Sequence, residues 1–323
     1  MMTIAQVYKL AIELGIKSDL RGASAVLRNL KRVKEKFEKM PEKEKEMFDR
    51  ERLTNPFADT RLLNGDPKKQ VKRAMVGIDI DTSELLVSKH LAEQGRPIDL
   101  VISHHPSGAA LANLHEVMSM QAEILALYGL PINIAESLLE MRISEVTRGI
   151  SPVNHFKAVD AAKNLGVPYM CAHTVTDNLV ANFMKQELAK RKIEYVSDIM
   201  DFLHEIPEYQ EAERRGAGPK IFAGNPDRRA GKVAITEITG GTEGSPKIYE
   251  KMAMAGIGTV IGMHMSEEHK KEAEKAHMNA IIAGHMSSDS IGVNLFLDEL
   301  EKRGVEIVPC SGLIRVSRLK KKK

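Results

Sequence analysis

Two adjacent histidines follow an apolar run in the stretch VISHHPSG, residues 101–108. Three later stretches also place a histidine at the end of an apolar run, and two of these add an aspartate four residues further on. Imidazole and carboxylate groups together suit zinc, iron(II), manganese or cobalt. The candidate site residues from these stretches are His104, His105, His173, Asp177, His264, His285 and Asp289.

The His-x-x-x-Asp spacing occurs twice, as His173 with Asp177 and as His285 with Asp289. Each pair precedes an amphipathic stretch, so both side chains share one face if the first turn is helical. A carboxylate in that turn also suits the helix dipole. The candidates outnumber the ligands that one ion needs, which favours two divalent metal ions bridged by a carboxylate, as in two-metal hydrolytic sites.

Groups that could transfer protons lie beside these ligands. We assign His173, His264 and Glu268 to this catalytic role, because imidazole and carboxylate are the usual acid–base groups. For His264 with the nearby Glu267, Glu268 and His269, three alternatives to proton transfer stay open. They could orient the metal ligands, contact the substrate, or begin a solvated helix.

The chain contains an internal repeat. Residues 65–105 match residues 224–264 without a gap at an offset of 159, and residues 172–193 match 284–305 at an offset of 112. The offset falls by 47, so the first copy carries an insertion of 47 residues between its two matching parts. The apolar spacing within this insertion is helical.

Each copy has a Gly-(Asp/Asn)-Pro turn, an apolar strand, a helix and a second strand that ends at His105 or His264. This order predicts an α/β fold built from a duplicated α/β unit. Ligands of open α/β sheets bind at the carboxyl ends of the strands, where these histidines lie. The predicted parts are a helical N-terminal extension (1–60), the first α/β repeat (61–193) with its helical insertion (about 107–165), a connector (194–220) and the second α/β repeat (221–323).

Composition excludes several classes of protein. No apolar run approaches the about 20 residues of a membrane-spanning helix, and the first residues lack the pattern of a signal peptide. Two cysteines, Cys171 and Cys310, are too few for a disulfide framework, so we expect a cytoplasmic protein. A net charge of +3 and 4% aromatic residues argue against nucleic-acid binding, and the basic end, residues 318–323, is expected to be a frayed tail.

Motifs for nucleotide binding and for serine hydrolases are absent from the sequence. The glycine-rich stretch ITGGTEGSP, residues 238–246, lies between a predicted strand and a predicted helix. Its backbone N–H groups could bind an anion, or it could be a plain tight turn.

Three motifs together resemble the Nif-three-like family of dinuclear-metal-centre proteins, which carries the description GTP cyclohydrolase type 2 homologue. They are ISHHP (102–106), AHTVTDN (172–178) and AGHMSSD (283–289), in this order. The stretch GDPKKQVKRAMVGIDID is similar to the opening of that family, and the resemblance covers roughly residues 62–106 and 166–318. It implies a duplicated α/β architecture, a two-metal centre and a ring-shaped homohexamer.

The resemblance also implies roles for single residues. His104 and His105 resemble the ligands of the family's double histidine, Asp177 resembles the ligand beside His173, and His285 resembles the ligand of a Gly-His pair. Asp289 stands where the family usually has a bridging glutamate, and it is one methylene shorter. The helical insertion after His-His-Pro is a second departure from the family pattern.

Two functions remain open at this point. The first is a metal-dependent hydrolase that acts on a small nucleotide- or pterin-like heterocycle or a phosphate ester, with two divalent ions to activate water. The second is a non-catalytic metal-binding scaffold, or a metal-handling or regulatory protein, assembled as a ring. The expected partners are further copies of the chain and a small molecule, with no membrane.

Overall fold

The computed structural model describes residues 1–319, and it begins with the predicted helical segment. A capping box starts the first helix: the Thr3 hydroxyl accepts from the Gln6 N–H, and the Gln6 side chain accepts from the Thr3 N–H. The charged stretch 36–52 is mostly exposed. The elements here are β1 Met2–Thr3, α1 Ile4–Ser18, α2 Ala23–Glu38, α3 Glu42–Met47 and a 3-10 turn, Arg50–Leu53.

The first copy of the repeat supplies four strands to the first main sheet. Five helices lie within this copy, at the place where the insertion is predicted. Its elements, in chain order, are β2 Thr60–Asn64, β3 Gln70–Val71, β4 Arg73–Gly77, α4 Thr82–Glu93, β5 Leu100–Ser103, α5 Gly108–Ala112, α6 Leu114–Val117, α7 Met120–Leu127, α8 Ile132–Ile150, α9 Lys157–Leu165, β6 Tyr169–Ala172 and α10 Thr174–Leu188.

The remainder of the chain holds the connector and the second copy. Its elements are α11 Val196–His204, α12 Pro207–Arg214, β7 Lys220–Ala223, β8 Lys232–Glu237, α13 Ile248–Met254, β9 Ile257–Gly262, α14 Glu267–Lys275, β10 Asn279–Ile282, α15 His285–Lys302 and β11 Glu306–Cys310.

The two main sheets repeat one pattern. In the first sheet β4, β5 and β6 are parallel neighbours, and β2 lies antiparallel beside β6. In the second sheet β8, β9 and β10 are parallel neighbours, and β7 lies antiparallel beside β10. The predicted α/β class with an internal duplication is therefore confirmed.

The last strand joins the sheet of the other copy. Although it follows α15 of the second copy, β11 lies parallel to β4 at the edge of the first sheet. The range 221–323, predicted as the second repeat, therefore supplies one strand to the first sheet. That edge of β4 needs a hydrogen-bonding partner, and β11 provides it.

One apolar core joins the N-terminal segment to both copies. It contains Ile4 and Val7 of α1, Val175 of α10, and Phe296 and Leu300 of α15, all buried. The helical N-terminal extension thus packs as part of the first core rather than as a separate unit. This burial is the main force that holds the three parts together.

The connector, residues 194–220, is packed as well. Its helices α11 and α12 bury Ile199, Phe202, Leu203 and Tyr209 completely. These side chains share a core with β8 and β10, which contribute Ile235 and Ile281. The connector therefore forms part of the globular structure.

The helical insertion of the first copy covers the sheet of the second copy. Leu125 of α7 and Leu139 of α8 share a core with Ala234 of β8, Val260 of β9 and Tyr249 of α13. This placement brings insertion residues to the loop that follows β8.

Within the described residues, no helix combines the length and apolar character that a membrane crossing requires. Arg318 is not part of a frayed tail: its guanidinium donates to both carboxylate oxygens of Glu208, at 2.7 and 2.9 Å. The rest of the predicted basic tail, residues 320–323, lies outside the described residues.

Candidate metal centre

The double histidine extends the first sheet beyond the end of β5. The backbone N–H of His104 donates to the Gly77 carbonyl at 2.9 Å, and that of His105 donates to the Ile78 carbonyl at 3.0 Å. Backbone pairing with β4 therefore fixes both histidines at the carboxyl end of the sheet.

The two His-x-x-x-Asp pairs lie at the starts of equivalent helices. His173 precedes α10 and His285 opens α15, so each aspartate lies in or just after the first turn. Nε2 of His285 lies 3.5 Å from Oδ2 of Asp289, and Nε2 of His173 lies 4.0 Å from Oδ2 of Asp177. The spacing therefore places each pair on one face, as predicted.

A first group of ligand atoms joins the two copies. Nε2 of His104 lies 3.5 Å from Oδ1 of Asp177 and 3.4 Å from Oδ1 of Asp289. All three side chains are buried. This first group therefore combines a histidine and an aspartate of the first copy with an aspartate of the second.

A second group uses the other oxygen of Asp289. Its Oδ2 lies 3.5 Å from Nε2 of His105 and 3.5 Å from Nε2 of His285, and the two imidazole nitrogens are 3.3 Å apart. Ligands about 2.1 Å from a tetrahedral ion lie about 3.4 Å from one another, so both groups have the size of a metal site. His173 also comes within 4.8 Å of His104 and His105 as a further ligand combination.

The protonation of His104 supports this assignment. The Thr176 hydroxyl donates its single proton to a backbone carbonyl, that of Ala172 at 2.6 Å, so it accepts from Nδ1–H of His104 at 2.9 Å. Nε2 therefore presents a lone pair to the two carboxylates. Among the described residues, this Nε2, Oδ1 of Asp177 and both oxygens of Asp289 have no hydrogen-bond partner. A divalent metal ion would satisfy these four buried atoms, because nitrogen and oxygen donors of this kind suit such ions.

Comparison with known proteins identifies similar solved structures. A NIF3 superfamily protein from Sphaerobacter thermophilus is similar, with 28% sequence identity and a TM-score of 0.66, and the match covers 79% of this chain and 92% of that one. The chain belongs to the NIF3 superfamily. A structure of reduced HcgD from Methanocaldococcus jannaschii matches with 14% identity and a TM-score of 0.49, over 77% of this chain and 87% of that one. No protein-family model and no curated protein matches the chain.

Burial and neighbouring charges shift the pKa values of the buried groups in different directions. Burial lowers the pKa of His104 to about 4 and raises that of the Asp177 carboxyl to about 7. Burial also disfavours a charged His105, but the carboxylates of Asp289 and Asp79 outweigh it and raise its pKa to about 10. Burial opposes ionisation of Asp289, yet the facing histidines, His104 first, hold its pKa below the usual range. Asp289 is therefore the permanent anion of the centre.

Three carboxylates that the sequence analysis did not select lie behind the histidines. Asp79 bonds Nδ1 of His105 at 2.7 Å, and Asp59 bonds Nδ1 of His173 at 2.8 Å. Glu243 bonds Nδ1 of the third histidine, His264. A carboxylate at Nδ1 holds a ring proton there and leaves Nε2 facing the centre, as in many metal-bound histidines. For Asp79 a signal existed, because it follows directly after the apolar run of β4.

His264 of the second copy lies at the exposed edge of the candidate metal centre. Its ring centroid is 5.0 Å from that of His285, and its side chain is 38% exposed. Both residues line one cavity together with Thr239, Gly241 and Thr242 of the glycine-rich stretch. This stretch thus forms a wall of the candidate site.

Glu268 is not part of the arrangement. It lies exposed on α14 and does not line the cavity at the centre. Its neighbour His269 is buried instead, and its Nε2 contacts the Gly244 carbonyl at 2.9 Å. The helical period explains the difference, because adjacent residues on a helix point about 100° apart. The structure therefore brings together every predicted site residue except Glu268.

Proposed function

We propose that this NIF3 chain binds two divalent metal ions that share Asp289, and that it is a metal-dependent hydrolase. One observation carries the proposal: each oxygen of Asp289 belongs to a different three-atom group of metal-site dimensions. A carboxylate placed between two such groups is the arrangement of a bridging ligand.

The ligands would be His104 and Asp177 for one ion, His105 and His285 for the other, and Asp289 for both. When bound, two divalent ions supply Lewis-acid chemistry: they polarise a C=O, C=N or phosphoryl group and make water more acidic. Zinc, iron, manganese and cobalt all match this set of nitrogen and oxygen donors.

We assign proton transfer to His264. Glu243 occupies its Nδ1, so Nε2 is free at the edge of the centre. Partial exposure lets this nitrogen exchange protons with solvent. His173 has the same carboxylate arrangement but is buried deeper, and it holds its proton at Nδ1 toward Asp59. Glu268 has no role in this proposal, since it does not line the cavity.

The substrate that we propose is a small nucleotide- or pterin-like heterocycle or a phosphate ester. Such molecules carry the C=N, C=O or phosphoryl group on which this chemistry acts. They would approach at the exposed edge, where His264 and His285 have 38% and 37% of their side-chain surface accessible.

Metal counting tests the centre. Protein purified without chelator and loaded with zinc is expected to hold two equivalents per chain. His285→Ala should hold one, because it belongs to one group, whereas Asp289→Ala should lose both. The control His90→Ala, on the exposed face of α4, should keep two. Wild-type protein with one equivalent or none, or an Asp289→Ala variant that keeps two, would contradict the centre.

Activity tests the hydrolase. A panel of phosphate esters and nucleotide- and pterin-like heterocycles should yield at least one hydrolysed compound, and chelation should abolish that turnover. The His104→Ala variant should be inactive as well. Hydrolysis that survives complete removal of metal rules out this mechanism.

A second function, metal handling without catalysis, has one observation in its favour. The cavity at the centre measures only about 30 Å³, enough for an ion and a little water but smaller than the pockets that hold drug-sized ligands. Fast metal exchange, no turnover on the panel and capture of a specific partner protein would favour this scaffold.

Two further predictions complete the proposal. The family likeness leads us to propose a ring-shaped homohexamer, which multi-angle light scattering of the 35.8-kDa chain would test.

We also propose a cytoplasmic location. Its support is that the two cysteines, Cys171 and Cys310, are unpaired within the described residues.

A further inference from the structure

The loop that walls the centre has few backbone contacts of its own. This glycine-rich loop, residues 239–245, lies between β8 and α13. Within it, the Thr242 N–H donates to the Gly240 carbonyl at 3.1 Å. Gly240 has φ of +100°, which disfavours other residues. A loop with so little internal pairing needs outside partners to hold one position.

Gln121 of the helical insertion supplies two such contacts. Its side-chain amide donates to the carbonyls of Gly240, at 2.9 Å, and Thr242, at 2.6 Å. Gln121 is buried, and a Cβ on Gly240 would lie only 2.6 Å from its Cγ. The amide and the loop are therefore closely fitted to each other.

Arg142 of the same insertion holds the next residue of the loop. Its Nε–H donates to the Glu243 carbonyl at 3.3 Å, and its guanidinium lies 3.6 Å from the Glu243 carboxylate. Both side chains are mostly buried, with 17% and 16% exposed. The attraction is therefore less screened than in a surface ion pair.

Glu243 links the loop to the metal centre, because its carboxylate bonds Nδ1 of His264. We propose that Gln121 and Arg142 are positioning residues: the insertion of the first copy holds the glycine-rich loop so that Glu243 fixes the tautomer and direction of His264. The inference rests on the proposed role of His264 in the metal centre. It gives the helical insertion a function, namely to complete the site from the second copy's side.

The test uses full-length, zinc-loaded protein with ¹⁵N-labelled histidine. The variants are Gln121→Leu, Arg142→Met, which keeps an unbranched side chain but removes the charge and the N–H donors, and Arg142→Lys, which keeps the charge. Arg148→Met is the matched control, since Arg148 is exposed on the same helix and donates to the Ser144 hydroxyl. The His264 signals are assigned from their absence in His264→Gln.

Two measurements report on the loop and on the imidazole. We expect the wild-type His264 to be the Nδ1–H tautomer alone, and Gln121→Leu and Arg142→Met to show a mixture. Backbone amides of the loop should exchange about tenfold faster with solvent in both variants, the effect of losing about one hydrogen bond. Arg142→Lys should restore the exchange in part, and Arg148→Met should match wild type.

Unchanged exchange and an unchanged tautomer in Arg142→Met would overturn the inference, and this variant decides even if Gln121→Leu fails to fold. Zinc content, measured in parallel, separates the two proposals. Wild-type protein without zinc refutes the metal centre, whereas full zinc content with an insensitive loop refutes only the role of the insertion.

Discussion

At the scale of residues, four histidines at the centre have a hydrogen-bond partner at Nδ1. A neutral hydroxyl holds Nδ1 of His104, whereas carboxylates hold Nδ1 of the other three, His105, His173 and His264. A hydrogen-bonded carboxylate makes Nε2 a better ligand or base. The carboxylates Asp79, Asp59 and Glu243 are therefore part of the proposed metal centre.

Asp79→Asn tests this dependence. The amide keeps the shape of the side chain but removes its charge, so metal affinity of the second group should fall about 10- to 100-fold. Competition with a chromophoric chelator measures this, and one of the two zinc ions should be unaffected. The exposed Asp227→Asn is the control. If Asp79→Asn binds both zinc ions with the affinities of wild type, the role of Asp79 is contradicted.

Asp289→Glu restores the residue that the family resemblance implies at this position. The Asp289 carboxylate already lies 3.4–3.5 Å from three imidazole nitrogens and is buried. One more methylene overfills the site, so we expect a loss of about 1–3 kcal/mol in the free energy of unfolding. Urea denaturation measures it, with Asp227→Glu as control. A glutamate variant as stable as wild type would show that the site tolerates the longer side chain.

At the scale of elements, the contact between α10 and α15 brings the two copies' aspartates together. A Cβ on Gly292 of α15 would lie 2.2 Å from the Thr176 carbonyl oxygen of α10. Only glycine permits this approach. Asp177 follows Thr176 directly, and Asp289 lies one turn before Gly292, so the close packing also sets the spacing of the first group.

Gly292→Ala should therefore change both stability and metal binding. The methyl group must push the helices apart, at a cost of about 1–3 kcal/mol or more, and zinc content should fall. Gly149→Ala is the matched control: it lies in α8 with open space around it, so alanine should stabilise the helix by about 0.5–1 kcal/mol. Thermal unfolding and zinc analysis give both quantities. A Gly292→Ala variant with normal zinc content would separate helix packing from the centre.

At the scale of the whole molecule, three exchanges tie the two copies into one structure. Strand β11 of the second half completes the first sheet, the insertion of the first half covers the second sheet, and α15 packs into the first core. Each exchange buries apolar surface or pairs an open strand edge. We therefore expect one cooperative unfolding transition rather than two.

Zinc removal tests whether metal binding stabilises the cooperatively folded chain. Because the proposed ligands come from both copies, bound metal should stabilise only the native state, by about 2.7 kcal/mol when free zinc is 100 times the dissociation constant. Calorimetry with and without chelator should show a single transition that moves to lower temperature. Asp289→Ala should unfold at the same temperature with and without zinc. A wild-type transition insensitive to zinc would contradict the shared centre.

Much of the fold and the site follows from local pattern. The repeat predicts two equivalent α/β units, and the turn, strand and helix signals place His104, His105, His173 and His285 at strand ends, where the structure has them. Such signals depend on neighbours a few residues apart, which act before any tertiary contact forms. Glu268 shows their limit, since a shift of one position on a helix decides whether a side chain is inside or exposed.

What the sequence alone determined is therefore the duplicated units, the insertion and the types of ligand. Only the tertiary structure decided which partners meet. Asp79, Asp59 and Glu243 found their histidines through contacts 26, 114 and 21 residues apart in the chain, β11 crossed to the first sheet, and the insertion reached the glycine-rich loop. The physical reason is that residue spacing encodes which face a side chain occupies, whereas the packing of whole sheets and helices selects what that face touches.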